Sequence, residues 1–298
     1  MSDSILNIIQ WKKIVYFVFI LFLFKFCFLY GYGFETTLSF FDLGLLSLSS
    51  IFFLASGYLT RFLFRTPQKK TNLSLQKVKK VSIYLMLIGI LIGVLLSFKI
   101  DKIHYSLIFI ICPILVYLYS TNNTKKSFFS NIVTSFLKPF AIITLWWFDS
   151  PVNLSKEQWD LLYYLQLITI IYAIISFLSN IVLGIITDII NINEDNFNKQ
   201  NTLPIVLGRK RAKNIALMLS IIVFVFVLSI AIACMENKFI LKTIIFLGTL
   251  PELYFIYRLM NASELKDYKK LYATGKVLLF LALLSIPIIA YYFKYVIS

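Results

Sequence analysis

The chain has 298 residues, of which 59% are hydrophobic, 17% aromatic and only 14% charged, with 29 Lys and Arg against 14 Asp and Glu for a net charge of +15. A soluble domain of that length could not bury so much apolar surface, and apolar windows longer than about 18 residues recur along it, so the composition excludes a soluble enzyme and predicts a polytopic membrane protein. It also argues against a nucleic-acid partner, because the cations lie in short loops between apolar runs and no soluble module with a basic, aromatic-studded face exists to use them.

In chain order the sequence predicts nine spans, with limits near 14–33, 39–60, 81–100, 104–120, 130–148, 162–187, 213–234, 239–257 and 275–296. No short apolar region with a small-residue cleavage site precedes the first span, so no removable signal peptide is expected. Spans three and four follow so closely that only a tight turn fits between them. The loops alternate in charge. The N-terminus carries Lys12 and Lys13; the second loop Arg61, Arg65, Lys69, Lys70, Lys77, Lys79 and Lys80; the fourth Lys125 and Lys126. The sixth carries Lys199, Arg209, Lys210, Arg211 and Lys213, and the eighth Arg258, Lys266, Lys269, Lys270 and Lys276. The odd loops are short and poor in cations. The positive-inside bias therefore predicts a plasma (inner) membrane protein with a cytoplasmic N-terminus, cytoplasmic even loops and an external C-terminus. The same lysines and arginines would touch anionic lipid headgroups. Trp146, Trp147 and Trp159, near the outer ends of spans five and six, read as an interfacial belt.

Few residues in the apolar stretches are chemically active. Cys27, Cys112 and Cys234 show no paired spacing and read as small buried apolar side chains. His104, at a span edge, reads as structural. Lys25 and Lys138 lie within or near spans and need a partner or a snorkelling route. The absence of an internal repeat and of a chain of intramembrane acids argues against a transporter.

The segment from Asp188 to Gly208 departs from this pattern. Asp188 and Asp195 stand seven residues apart where a run of apolar residues ends, followed by Thr202, Leu203, Pro204 and Gly208. Carboxylates at a bilayer edge can reach both an anionic headgroup and a divalent metal. This segment resembles the second aspartate motif of the UbiA-type intramembrane prenyltransferases, above all the branch that makes archaeal-type glycerol ethers. Asp188 takes the first acidic position and Asp195 the third, while Asn191 stands at the second and Asn193 where Glu is common. Leu118 to Ser120 before a basic loop, Asn131 at the start of span five and Lys266 to Lys276 before the last span agree with the same family. Its other motif, Asn-Asp-x-x-Asp-x-x-x-Asp after a Gly-Tyr, should follow Gly57 and Tyr58. Here Arg61 takes the Asn position, and Phe62, Arg65 and Lys69 take the three Asp positions. On span six, Leu183, Gly184 and Thr187 occupy places where relatives often have Arg, Glu and Lys, whereas Asn180 is retained.

The resemblance implies an all-α integral membrane fold, a bundle of nine transmembrane helices around a central cavity open to the cytoplasm, as one polytopic domain over 1–298. It implies transfer of a polyprenyl group from its diphosphate to a lipid or aromatic acceptor. Asp188, Asn191 and Asp195 would be metal ligands for Mg²⁺ at a weakened or lost site. Arg61, Arg65, Lys125, Lys126 and Asn180 would hold the diphosphate. Arg61 and Arg65, four residues apart on a helix, share a face, and guanidinium forks suit phosphate oxygens. The loops bearing them and the acids are expected to converge over one cavity. The replaced first motif leaves a second class open: a non-catalytic relative on the same scaffold, binding a lipid or a partner protein.

Overall fold

The computed structural model describes residues 8–65, 75–120, 131–132, 135–136, 139, 145–197, 201–292 and 294; for residues 61, 64, 65 and 115–120 it describes the backbone alone. The described residues are almost entirely helical, as hydrocarbon demands, because a helix satisfies its backbone N–H and C=O groups internally. The helices are α1 (Trp11–Tyr32), α2 (Phe40–Arg65), α3 (Leu75–Lys99), α4 (Ser106–Ser120), α5 (Lys156–Ile190), α6 (Ile192–Phe197), α7 (Leu203–Leu207), α8 (Arg209–Ala233), α9 (Lys238–Asn261) and α10 (Leu265–Tyr292). A π-helical turn interrupts α1 at Lys25–Leu29 and α9 at Ile245–Thr249.

Among the described residues, seven helices are long and apolar enough to cross a membrane: α1, α2, α3, α5, α8, α9 and α10. The fourth expected span is the shorter helix α4, and most of the fifth, including Lys138, lies outside the described residues. Several helices run past their apolar windows. At about 1.5 Å per residue, the 35 residues of α5 reach about 50 Å, well beyond a hydrocarbon core of about 30 Å. A capping box starts that helix outside its apolar window: Ser155 Oγ accepts from Gln158 N at 3.3 Å, and Gln158 Oε1 accepts from Ser155 N at 3.0 Å.

The chain divides into two compact units. The first comprises α1 as far as Phe22, α2 to α4 and residues 144–153. Its helices pack through small residues and hydroxyls, the usual means by which helices associate where lipid supplies no hydrophobic drive. Ser49 Oγ donates to Gly89 O at 2.8 Å, and Ser56, Thr60 and Ser82 form a buried hydroxyl cluster between α2 and α3. A Cβ on Gly93 would lie 2.2 Å from the Phe109 ring, so the α3–α4 contact requires glycine there. At one end of this unit, Asp42 pairs with Lys99 at 2.5 Å. Lys102 Nζ donates to Trp147 O, Phe148 O and Ser150 Oγ, while Asp149, fully buried, accepts from Leu38 N. Burial lowers the Lys102 pKa, and the Asp149 charge opposes that shift. The tight turn between α3 and α4 is present, with Asp101 at φ +56°, a conformation that Asp tolerates better than most residues.

The second unit comprises Leu23–Gly33, Lys125–Ile143 and Leu154–Ser298. Its core joins α5, α8, α9 and α10 through Ile185, Ile186, Ala212, Ala216, Leu259 and Leu271, all fully buried. Lys25 is buried within the π-helical turn of α1. The cysteines correct an expectation: all three are free, but each is partly exposed and not buried. An apolar side chain facing lipid has no need of burial in protein. Trp147 and Trp159 are exposed and Trp146 is half-buried, and His104 packs edge-on against Tyr105.

Candidate functional site

The most buried third of α5 is the one that carries the acid. From Ser179 to Ile189 nearly every side chain is enclosed, including Asn180 and Asp188, so this stretch contacts protein on all sides. Asp188 stands in the last turn with only 4% of its surface exposed. Asn131 Nδ2 donates to its Oδ2 at 2.6 Å, a charge-assisted geometry. Gly184 lies one turn earlier on the same face. A Cβ there would meet Asn131 Cγ at 3.3 Å, so the glycine gives the amide room to reach the carboxylate. Neighbouring polar groups also bond within the helix: Thr187 Oγ1 donates to Leu183 O at 2.7 Å and Asn180 Nδ2 to Ser176 O at 2.7 Å.

Asn191 ends α5 as its C-cap, and the chain turns into the six-residue α6. There Asp195 is 3% exposed, and its backbone N donates to Asn191 O at 2.9 Å. Two acids seven residues apart are therefore both withdrawn from solvent. Burying such a group is costly unless it is hydrogen-bonded or neutralised, which is why acids at such places are seldom incidental.

The tail of the motif is a turn with a physical reason at each position. Thr202 has extended backbone, and its carbonyl accepts from Ile205 N and Val206 N at 3.0 Å to open α7. Pro204 sits in the first turn, where no N–H is needed. Gly208 has φ +86° and ψ 154°, a region essentially closed to other residues, and this lets the chain reverse directly into α8. Arg209, Lys210 and Arg211 are exposed at the start of α8. Lys213 is engaged otherwise: its Nζ donates to Met260 O at 2.7 Å and Ala262 O at 2.8 Å, closing the end of α9.

The structure thus places Asn180, Asp188, Asn191 and Asp195 in one unit, along α5 and the turn that follows it. The side chains of Arg61 and Arg65 lie outside the described residues, as do Lys125 and Lys126. The expected convergence of those cations on the acids lies outside them as well. Sequence reasoning missed two features. The Asn131–Asp188 pair joins residues 57 apart, and only helix packing brings them together. Glu252 is buried in α9; the signal for it was present, as a lone acid inside an apolar span.

Among the described residues no group of three or more His, Cys, Asp or Glu side chains converges to hold a metal. Mg²⁺ commonly takes only one or two carboxylates and fills its octahedron with water and phosphate oxygens. Two carboxylates such as Asp188 and Asp195 would fall within that number, whereas a cage built from protein alone would need more.

No family model matches the chain. One curated relative, the digeranylgeranylglyceryl phosphate synthase of Methanosphaera stadtmanae, is 25% identical over 156 residues. The match covers 52% of this chain and 50% of that protein, so the chain spans about half the length of the curated relative it matches. A solved structure bearing on digeranylgeranylglyceryl phosphate synthase in membranes superposes with a TM-score of 0.69 at 16% identity, covering 96% of this chain and 97% of the other. A UbiA homolog from Archaeoglobus fulgidus bound to DMAPP and Mg²⁺ gives a TM-score of 0.58 at 14% identity, over 96% and 99% of the two chains. The same homolog bound to GPP and Mg²⁺ gives 0.57 at 14% identity, over 95% and 99%. The chain resembles the UbiA-type intramembrane prenyltransferases in sequence and shares their fold.

Proposed function

We propose that this chain is a UbiA-like membrane prenyltransferase, moving a polyprenyl group from its diphosphate to a lipid or aromatic acceptor. The observation that carries the reading is the buried, hydrogen-bonded Asp188 at the end of α5, followed by buried Asp195 and the Thr202–Gly208 turn. The fold shared with homologs solved with prenyl diphosphate and Mg²⁺ supports it.

In such a reaction the allylic carbon–oxygen bond breaks, the diphosphate departs with the electron pair, and the acceptor captures the electron-poor carbon and releases a proton. The leaving group carries about three negative charges, and their neutralisation is the largest contribution a site of this kind can make. A bound Mg²⁺ would supply part of that neutralisation. Asp188 and Asp195 would hold it, with the amide of Asn131 fixing the Asp188 carboxylate and Asn191 nearby in the chain. Arg61 and Arg65, in place of a second acidic cluster, would grip phosphate oxygens directly, joined by Lys125 and Lys126 of the next basic loop. Asn180, about 12 Å deeper along α5 at 1.5 Å per residue, would lie further from the headgroup level. The even loops would face the cytoplasm, with the site opening there.

One feature favours a second reading, a non-catalytic UbiA-fold protein that binds a lipid headgroup or a partner protein. Phe62, Arg65 and Lys69 stand where the related motif carries carboxylates. Diphosphate release separates the two. Purified protein in lipid nanodiscs, given GPP and a panel of lipid and aromatic acceptors with Mg²⁺, is expected to release pyrophosphate, and Asp188→Asn is expected to abolish that release. Tight GPP binding without release from any acceptor would favour the second reading.

A further inference from the structure

The second unit contains a small polar cavity away from the acids just described. Ser179 of α5, Ser220 of α8 and Glu252 of α9 line it, walled by Leu183, Phe255 and Gly275. It has about the room of one water molecule. All three polar side chains are deeply buried, with 9%, 0% and 4% of their surfaces exposed. Among the described residues neither serine Oγ finds a hydrogen-bond partner, and Glu252 makes no ion pair. Two unmet hydroxyls and a carboxyl facing one water-sized space inside apolar helices are a costly arrangement unless something polar joins them.

We propose that Glu252, Ser179 and Ser220 form a binding site for a single buried water, held by a Glu252 side chain in its uncharged acid form. The stoichiometry decides between candidate occupants. A buried water makes about three hydrogen bonds, and three polar side chains are present. The acid O–H donates to the water, and the two water hydrogens donate to the serine oxygens. A hard metal ion takes about six or more oxygens, against the four that these side chains offer. An ionised carboxylate without a counter-charge would be far more expensive at this depth than the neutral acid. Gly275 matters to the shape: a Cβ there would come within 2.5 Å of Leu183 Cδ2, so any larger residue would push Leu183 from its place in the wall. The water ties α5, α8 and α9 together about 13 Å along α5 from Asp188, taking nine residues at 1.5 Å each. It does so whether or not the protein transfers prenyl groups.

Infrared difference spectroscopy on the full chain in nanodiscs at neutral pH tests this. The wild type should show the carbonyl stretch of an un-ionised carboxylic acid that is lost in Glu252→Gln. That band should move to higher frequency in Ser179→Ala and Ser220→Ala as the water loses a partner. The wild-type melting temperature should be the same in sodium and choline chloride. Absence of any protonated-acid band in the wild type would overturn the proposal, as would a band unmoved by both serine variants. A melting temperature raised by sodium in the wild type would overturn it in favour of a cation site. The wild-type spectrum and the salt series keep the question decidable even where Glu252→Gln fails to fold.

Discussion

Asp188 and Asn131 make the clearest case at the scale of single residues. The amide donates to the carboxylate at 2.6 Å in a nearly closed environment. A hydrogen bond to a charged group is worth about 1.5–3 kcal/mol, and stranding the charge adds a desolvation cost. Asn131→Leu is therefore expected to lower stability by about 2 kcal/mol or more, whereas Asn131→Asp should cost more still because it sets two acids against each other. Thermal melts of the purified variants, monitored by tryptophan emission, check both the size and the order of the effects. The acids themselves were legible in the sequence, since carboxylates are rare at the end of an apolar run and the Thr-Leu-Pro tail follows at a fixed spacing. Their amide partner was not. Asn131 could be seen to open a span, but nothing local says which face it presents or to which helix.

The elements were easier to foresee than the contacts between them. Long apolar windows can only be helices in hydrocarbon, and the helices found lie on the expected ones. Several of them run past the expected limits. Charged residues such as Lys266, Lys269 and Lys270 mark the end of an apolar window but continue the helix α10 through its first turns, because lysine is a good helix former. What a hydropathy window cannot show is where two helices approach most closely. Gly93 marks such a place. A Cβ on it would overlap the Phe109 ring, and that ring is fixed in turn against Phe53 and Phe148 at centroid distances of 6.4 and 5.1 Å. With ring neighbours on two sides, Phe109 has little room to yield, so Gly93→Ala is expected to push α3 and α4 apart. The expected cost is about 1–3 kcal/mol, as for other overpacked cores. A melt of Gly93→Ala beside Gly44→Ala, whose Cβ would meet nothing within 4 Å, checks it. The first should be clearly less stable and the second close to the wild type.

At the scale of the whole molecule, membrane embedding follows from composition, while the proposed orientation rests on the loop charges alone. With Cys27, Cys112 and Cys234 replaced by Ala, single cysteines placed in the second, sixth and eighth loops should resist an impermeant thiol reagent in intact cells, and Ser298→Cys should be labelled. Labelling of the sixth loop from outside would reverse the topology and place the acids on the wrong side for a cytoplasmic diphosphate. The fold was legible because it rests on apolar length and a short motif. Whether the basic second loop meets the acids was not, since that depends on tertiary packing that no spacing encodes.

In the proposed reaction arginine would replace one carboxylate–metal set in holding the diphosphate, and GPP affinity in nanodiscs measures this most directly. Each guanidinium contact contributes about 1.5–3 kcal/mol, so two independent contacts amount to at least about a hundredfold in affinity. Arg61→Ala with Arg65→Ala should therefore weaken GPP binding by about a hundredfold or more, while chelating Mg²⁺ should weaken wild-type binding without abolishing it. Binding unchanged in the arginine variant and abolished by chelation would contradict the arginine-for-metal exchange, and no binding of GPP under any condition would contradict the prenyltransferase reading itself.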